Sequence, residues 1–286
     1  MSGLVPILRD LLARREAATL VTVLATKGSV PREAGTRMIV TSAQSHGTIG
    51  GGRLEWDAIE AARKLIESGG DPTTMDVPLG PEIGQCCGGH VSIRLELVDQ
   101  AVCDEVDQGE QAERANLPLV MLFGAGHVGK ALAGALAPLP FRVRWIDARA
   151  NLFPDPIPHG IDVVVSEAAL AEVEAAPTGA AYMVMSHSHA LDSMICAAVL
   201  QRGDFAHLGL IGSRSKRKQF ERAFRDLGIP DEQIARLVCP IGGRLKDKRP
   251  PVIAALAAAE LIHELADPTA TKQPATTKEN KTGEAA

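Results

Sequence analysis

The stretch Leu119-Val120-Met121-Leu122-Phe123-Gly124-Ala125-Gly126-His127-Val128-Gly129-Lys130 is an apolar run that drives straight into a Gly-x-Gly-x-x-Gly turn. It predicts a strand, a phosphate-binding turn and the first turn of a helix. Each glycine has a separate physical job: Gly124 permits the tight turn, Gly126 lets backbone N–H groups approach a pyrophosphate, and Gly129 lets the helix sit close on its strand. The helix N-terminus adds unpaired N–H groups and the positive end of the helix dipole. A second apolar segment, Arg142-Val143-Arg144-Trp145-Ile146, ends on Asp147, at about the 20-residue distance where an acidic residue meets a ribose hydroxyl. A glycine-rich strand-to-helix connection that binds nothing is the alternative reading of the same letters.

Short apolar runs then alternate with helical patterns. Segments 162–165, 182–185 and 207–213 read as strands, and 191–201 and 216–227 as helices. Together with 237–242 they predict a parallel sheet covered on both faces and wound right-handedly. In such a sheet ligands collect at the carboxyl ends of the strands, where His187, His189, Gly212, Ser213 and Gly242 should converge. The two histidines with Asp192 read as a catalytic base, metal ligands, cofactor contacts or merely a helix cap. Lys216, Arg217 and Lys218 open their helix against its dipole, which fits either a solvated basic face or a bound phosphate.

The chain ahead of this unit carries its own pattern. Residues 4–15 space their leucines and isoleucine as an amphipathic helix, 19–24 and 37–41 read as strands, and 91–97 alternates as another. Gly50, Gly51 and Gly52 precede a helix that begins near Leu54 and Glu55. They suit either close approach to an anionic or planar ligand or a plain flexible turn. Gln85, Cys86 and Cys87 sit in a glycine-flanked loop. Adjacent cysteines lack the spacing of a structural zinc site, which leaves an exposed reactive thiol, a soft-metal contact, or two small buried apolar residues.

At 286 residues the chain is long enough for two cores. Polarity rises and periodicity fades around 100–116, so the expected division is 1–99, a linker over 100–116, a second domain over 117–266 and a disordered tail over 267–286. The expected fold class is α/β: an N-terminal α+β domain followed by a Rossmann-like doubly wound parallel-sheet domain. A formal net charge of -5 with no dense Lys/Arg block argues against nucleic acid as a partner. No apolar run spans a bilayer and no leader pattern opens the chain, so the expectation is no membrane and a cytoplasmic location. Five scattered cysteines argue for reduced thiols, and a homodimer is expected on frequency alone.

Taken in order, these segments resemble the xanthine dehydrogenase accessory protein family, XdhC/CoxI. The resemblance is carried by His46-Gly47-Thr48-Ile49-Gly50-Gly51-Gly52 with Leu54-Glu55, Cys86-Cys87-Gly88-Gly89, the turn from Phe123 to Gly129, His187-Ser188-His189 with Leu191-Asp192, Gly209-Leu210-Ile211-Gly212-Ser213, and Cys239-Pro240-Ile241-Gly242. It implies an accessory chaperone rather than an enzyme. Such a protein binds the pyranopterin molybdenum cofactor, shields it while a cysteine desulfurase replaces an oxo ligand by sulfur, and delivers it to apo xanthine dehydrogenase. Other molybdenum cofactor biosynthesis proteins are further implied partners. The cofactor-binding set implied is Gly50, Gly51, Gly52, Glu55, Gln85, Cys86, Cys87, Gly124, Gly126, His127, Gly129, Asp147, His187, His189, Gly212 and Ser213, with Cys86 and Cys87 as candidate molybdenum contacts. The competing reading is an NAD(P)-dependent oxidoreductase, with NAD(P) or another nucleotide at the Gly124 turn and His187 or His189 as acid-base.

Overall fold

The computed structural model describes residues 3–79, 88–243 and 247–265, and the chain divides into two compact units, 3–113 and 114 onward. The first unit is built on a five-stranded antiparallel sheet in the order β3-β2-β1-β5-β4. Its strands are β1 (Ala18–Lys27), β2 (Arg37–Thr41), β3 (Ser45–Gly47), β4 (Thr73–Leu79) and β5 (Gly89–Leu97). Strand alternation sends Val21, Val23, Met38, Val40, Ile93 and Leu95 to one face, where Leu54, Ala58, Ala62 and Leu65 of α2 (Gly52–Ser68) meet them. Leu20 and Ile39 point the other way, onto Val5, Leu8 and Leu11 of α1 (Val5–Arg14) and Cys103 and Val106 of α3 (Gln100–Asn116).

Two of these elements differ from the sequence expectation. The stretch 100–116, expected as a linker, is the 17-residue helix α3. Its apolar stripe is narrow, with only Cys103 and Val106 buried, so most of its length reads as polar. Its start is nonetheless written in the sequence, because the Asp99 carboxylate accepts the Val102 N–H at 2.8 Å as an N-cap. Strand β4 was not anticipated. It carries Pro78 and Asp76, and it pairs with β5 alone, at the sheet edge where a missing N–H is tolerated.

The second unit has the expected doubly wound form. Six strands, β6 (Leu119–Phe123), β7 (Arg142–Asp147), β8 (Ile161–Val165), β9 (Ala181–Val184), β10 (His207–Leu210) and β11 (Leu237–Val238), run parallel in the order β11-β10-β9-β6-β7-β8. The order reverses between β6 and β9, the crevice where a sheet of this kind takes its ligand. Met121, Phe123, Tyr182, Val184, Leu208 and Leu210 bury one face under α5 (Ala169–Glu174), α6 (His189–Arg202), α7 (Arg214–Asp226) and α8 (Asp231–Ala235). Val120, Leu122, Trp145, Ala181 and Met183 bury the other under α4 (His127–Leu136) and α9 (Pro250–Leu265). Among the described residues no helix is long and apolar enough to cross a membrane. Cys103, Cys196 and Cys239 are buried, unpaired thiols.

Candidate functional site

The turn between β6 and α4 is shaped by two glycines that the fold requires. Gly124 has a φ of +114°, and a Cβ there would run into the Met185 carbonyl at the end of β9. Gly129 packs against the Gly124 carbonyl, leaving no room for a side chain. That carbonyl accepts the Trp145 indole N–H at 2.9 Å, and the Gly124 N–H reaches Ile146 O at 2.8 Å, so the turn is sewn to β7. Gly126 is different. It caps α4 with φ -72° and ψ -171°, is exposed, and has open space where a Cβ would stand. Any residue can adopt that backbone, so its lack of a side chain serves access rather than folding. No side chain caps the helix, and among the described residues the N–H groups of His127 and Val128 donate to nothing. His127 is exposed beside them.

Asp147 closes β7 within the same crevice, and its carboxylate is fully engaged. Oδ2 accepts the Ala125 N–H and Arg149 Nη2, both at 2.8 Å, while Oδ1 accepts the Arg149 N–H at 3.0 Å and Arg149 Nε at 2.9 Å. Burial pushes its pKa upward, but the Arg149 guanidinium and the two backbone donors outweigh that and bring it down to about 2. Four hydrogen bonds fill the acceptor positions of a carboxylate. A ribose diol can reach this group only by displacing Arg149. Arg149, two residues along the chain, is the principal partner of Asp147, with three of the four hydrogen bonds.

The loops after β9 and β10 lie alongside: Met185 N–H donates to Phe123 O, and Ile211 N–H to Val184 O, both at 2.9 Å. Asp192, a candidate acid-base group by sequence, is fully buried. One oxygen accepts the Ser186 N–H at 2.9 Å and the other Lys216 Nζ at 2.7 Å, and Lys216 also donates to Ile211 O at 3.0 Å. Lys216 is thus no solvated surface cation but half of an internal ion pair that ties the β9 loop, β10 and α7 together. Ser188 and Ser213 cap α6 and α7 by accepting the Leu191 and Lys216 N–H groups. Gly212 is pressed between Lys216 and Cys239, whose sulfur lies 3.3 Å from the position of an added Cβ. His187 stands exposed on the loop after β9, and His189 stands exposed at the first position of α6. Burial raises the pKa of the Cys239 and Cys196 thiols, so neither is a reactive thiolate.

In the first unit the three glycines all take positive φ, +127°, +75° and +65° at Gly50, Gly51 and Gly52. The N–H groups of Gly50 and Gly51 are already used. Glu55, in the first turn of α2, folds its carboxylate back onto Thr48 Oγ1 and onto the Ile49 and Gly51 N–H groups, both at 3.1 Å, while Gly50 N–H donates to Thr48 Oγ1. The carboxylate thereby fills the anion position of the loop. Gly50 packs on the Pro31 ring, and Gly88 bridges Ser29, so the 27–31 loop lies against both the glycine turn and the chain leaving the cysteine segment. Gln85, Cys86 and Cys87 lie outside the described residues. Among the described residues no three His, Cys, Asp or Glu side chains converge to hold a metal ion.

The second unit is therefore a Rossmann-type domain with an open helix N-terminus at its switch point, joined to an α+β domain that carries a self-closed glycine turn. Residues 120–261 match the XdhC Rossmann domain and residues 11–77 match the XdhC and CoxI family. The chain belongs to the XdhC/CoxI family. It is 27% identical over 245 residues to the uncharacterized protein YqeB of Escherichia coli (strain K12), covering 84% of this chain and 42% of that one, so the chain spans less than half of that relative. A crystal structure from Bacillus halodurans, described as a xanthine dehydrogenase, superimposes with a TM-score of 0.69 at 17% identity over 96% of this chain and 98% of that one. That likeness extends the fold to both units.

Proposed function

We propose that the chain is an accessory protein of xanthine dehydrogenase maturation, which carries the pyranopterin molybdenum cofactor, shields it during sulfuration by a cysteine desulfurase, and passes it to the apoenzyme. Membership of the XdhC/CoxI family and the xanthine dehydrogenase name borne by the Bacillus halodurans structure support this reading. The observation that carries it is the pairing of an open phosphate-accepting helix N-terminus at Gly126 with an Asp147 whose acceptor positions are all taken. Such a crevice suits a phosphate that is not attached to a ribose diol, which is what a pterin phosphomonoester offers and a nicotinamide dinucleotide does not.

In this role the His127 and Val128 N–H groups hold the phosphate, and Gly126 keeps the approach clear. His187 and His189 would present hydrogen-bonding groups to the polar rim of the pterin. The bound group supplies the metal-dithiolene centre that the recipient enzyme uses; the chain itself supplies shelter and anchoring, and carries out no catalysis. The test is anaerobic purification followed by oxidation and assay of the fluorescent pterin. Pterin bound in proportion to the chain supports the carrier, whereas no pterin together with turnover of NAD(P)H would establish the oxidoreductase instead.

A further inference from the structure

Helix α7 sorts its six cationic residues into two sets. Lys216, Arg217 and Arg225 are paired with Asp192, Glu221 and Asp231, each at 2.7 Å. Arg214, Lys218 and Arg222 are exposed, and among the described residues none has a carboxylate within ion-pair distance. Their spacing of four places all three on one face. The fold gains nothing from that arrangement. Like charges four residues apart on a helix repel, and Arg214 and Lys218 stand in the first turns, where the helix dipole disfavours cations. Asp226 is four residues beyond Arg222 but does not close on it, and Glu221 is held by Arg217. What anchors α7 is its opposite face, where Phe220 and Phe224 are buried in the sheet core. The stripe starts immediately after Ser213, the cap residue at the carboxyl edge of the sheet.

We propose that the Arg214, Lys218 and Arg222 stripe is a docking surface for an acidic face of a partner protein; the inference rests on the reading above in taking that partner to be the apoenzyme that receives the cofactor. Cations kept unpaired against local repulsion are complementary to a compact anionic patch and steer its approach. A nucleic acid would have to track its backbone along a chain whose formal net charge is -5. A lipid surface would need apolar residues on the same side of α7, and its phenylalanines face inward. Docking beside the crevice brings the recipient to the mouth from which a ligand at Gly126 leaves.

The test uses the full chain and apo xanthine dehydrogenase from the same organism, with affinity measured across a salt series. The wild type should bind with affinity that falls steeply as salt rises. The triple variant Arg214→Glu, Lys218→Glu, Arg222→Glu should bind at least about tenfold more weakly at low salt with a flattened salt dependence. Its melting temperature should equal or exceed that of the wild type, because the substitutions relieve repulsion and suit the dipole; this separates lost docking from lost folding. Wild-type affinity and salt slope in the triple variant would overturn the inference while leaving the carrier reading standing. Absence of any wild-type binding to the apoenzyme overturns both, and it is distinguished by the wild-type arm alone. Binding to a DNA duplex or an anionic phosphatidylserine vesicle that vanishes in the triple variant, with enzyme binding intact, would assign the stripe to a different class of partner.

Discussion

Arg149 grips Asp147 side-on, Nε to Oδ1 at 2.9 Å and Nη2 to Oδ2 at 2.8 Å, and so takes the acid of the Rossmann crevice out of service as a ribose ligand. The pair also sets an acid limit. Because the folded-state pKa of Asp147 is depressed to about 2, its contribution is fully present above the ordinary carboxylate value and is lost as pH falls toward 2. The shift corresponds to about 2 kcal/mol at neutral pH. The Asp147→Asn variant should melt about 5 °C below the wild type at pH 7, and the gap should close between about pH 5 and pH 2. A gap independent of pH would show that the carboxylate's charge is not what the Ala125 turn depends on.

The same pair gives a ligand prediction. Arg149→Ala frees two acceptor positions on Asp147, so NAD affinity measured by calorimetry should rise in the variant from an undetectable wild-type level. Tight NAD binding by the wild type, lost rather than gained in Arg149→Ala, would restore the dinucleotide reading.

Gly126 and Gly129 belong to one motif but answer to different demands. A methyl group at Gly129 meets the Gly124 carbonyl, and Gly129→Ala should cost about 1–3 kcal/mol through displacement of α4 from β6. At Gly126 a methyl meets open space on an ordinary backbone, so Gly126→Ala should change stability by no more than about 0.5 kcal/mol. Pterin retained per chain should nevertheless fall about tenfold in Gly126→Ala, because the methyl enters the path of the phosphate. Unchanged retention would place the phosphate elsewhere.

The strand, turn and helix around Gly124 were readable because their signals are local: an apolar run, three glycines at fixed offsets and an acid one strand later. The winding of the sheet followed from the alternation of such units. The partners that decide the site were not readable, because each joins residues far apart in the chain. Lys216 reads as one of three exposed cations at a helix start, and only the closing of β10 beside α6 carries it to Asp192. Glu55 reads as a helix residue near a glycine turn, with nothing in its spacing from Thr48 to say that its carboxylate folds back. Helix α3 was obscured for a different reason: its buried stripe is two residues wide, too narrow to register as a period.

The Lys216–Asp192 pair should behave as a buried ion pair behaves. Lys216→Met leaves a fully buried carboxylate with only the Ser186 N–H and should cost about 3–5 kcal/mol. Adding Asp192→Asn to that variant removes the stranded charge while keeping an acceptor for Ser186, and should recover a large part of the loss. A double-mutant cycle by chemical denaturation measures the coupling, and additive losses would mean that the two side chains do not depend on each other. For comparison, Arg214→Ala on the exposed face of the same helix should stay within about 0.5 kcal/mol of the wild type.

Glu55 offers the sharpest separation between a loop that binds an outside anion and one that supplies its own. The carboxylate accepts from Thr48, Ile49 and Gly51, so Glu55→Ala takes the shared acceptor from two backbone N–H groups and a hydroxyl at once and should cost about 1–3 kcal/mol. Glu55→Gln retains an acceptor and should cost less. If the internal carboxylate occupies the anion position, removing it creates a vacancy lined by two backbone N–H groups and a hydroxyl. Sulfate should then raise the melting temperature of Glu55→Ala by more than it raises that of the wild type, beyond the general stabilisation that sulfate gives any folded chain. An equal or larger gain in the wild type would mean that Glu55 yields its place to an incoming anion, and the triple-glycine turn would then join the Gly126 helix as a second seat for a ligand phosphate.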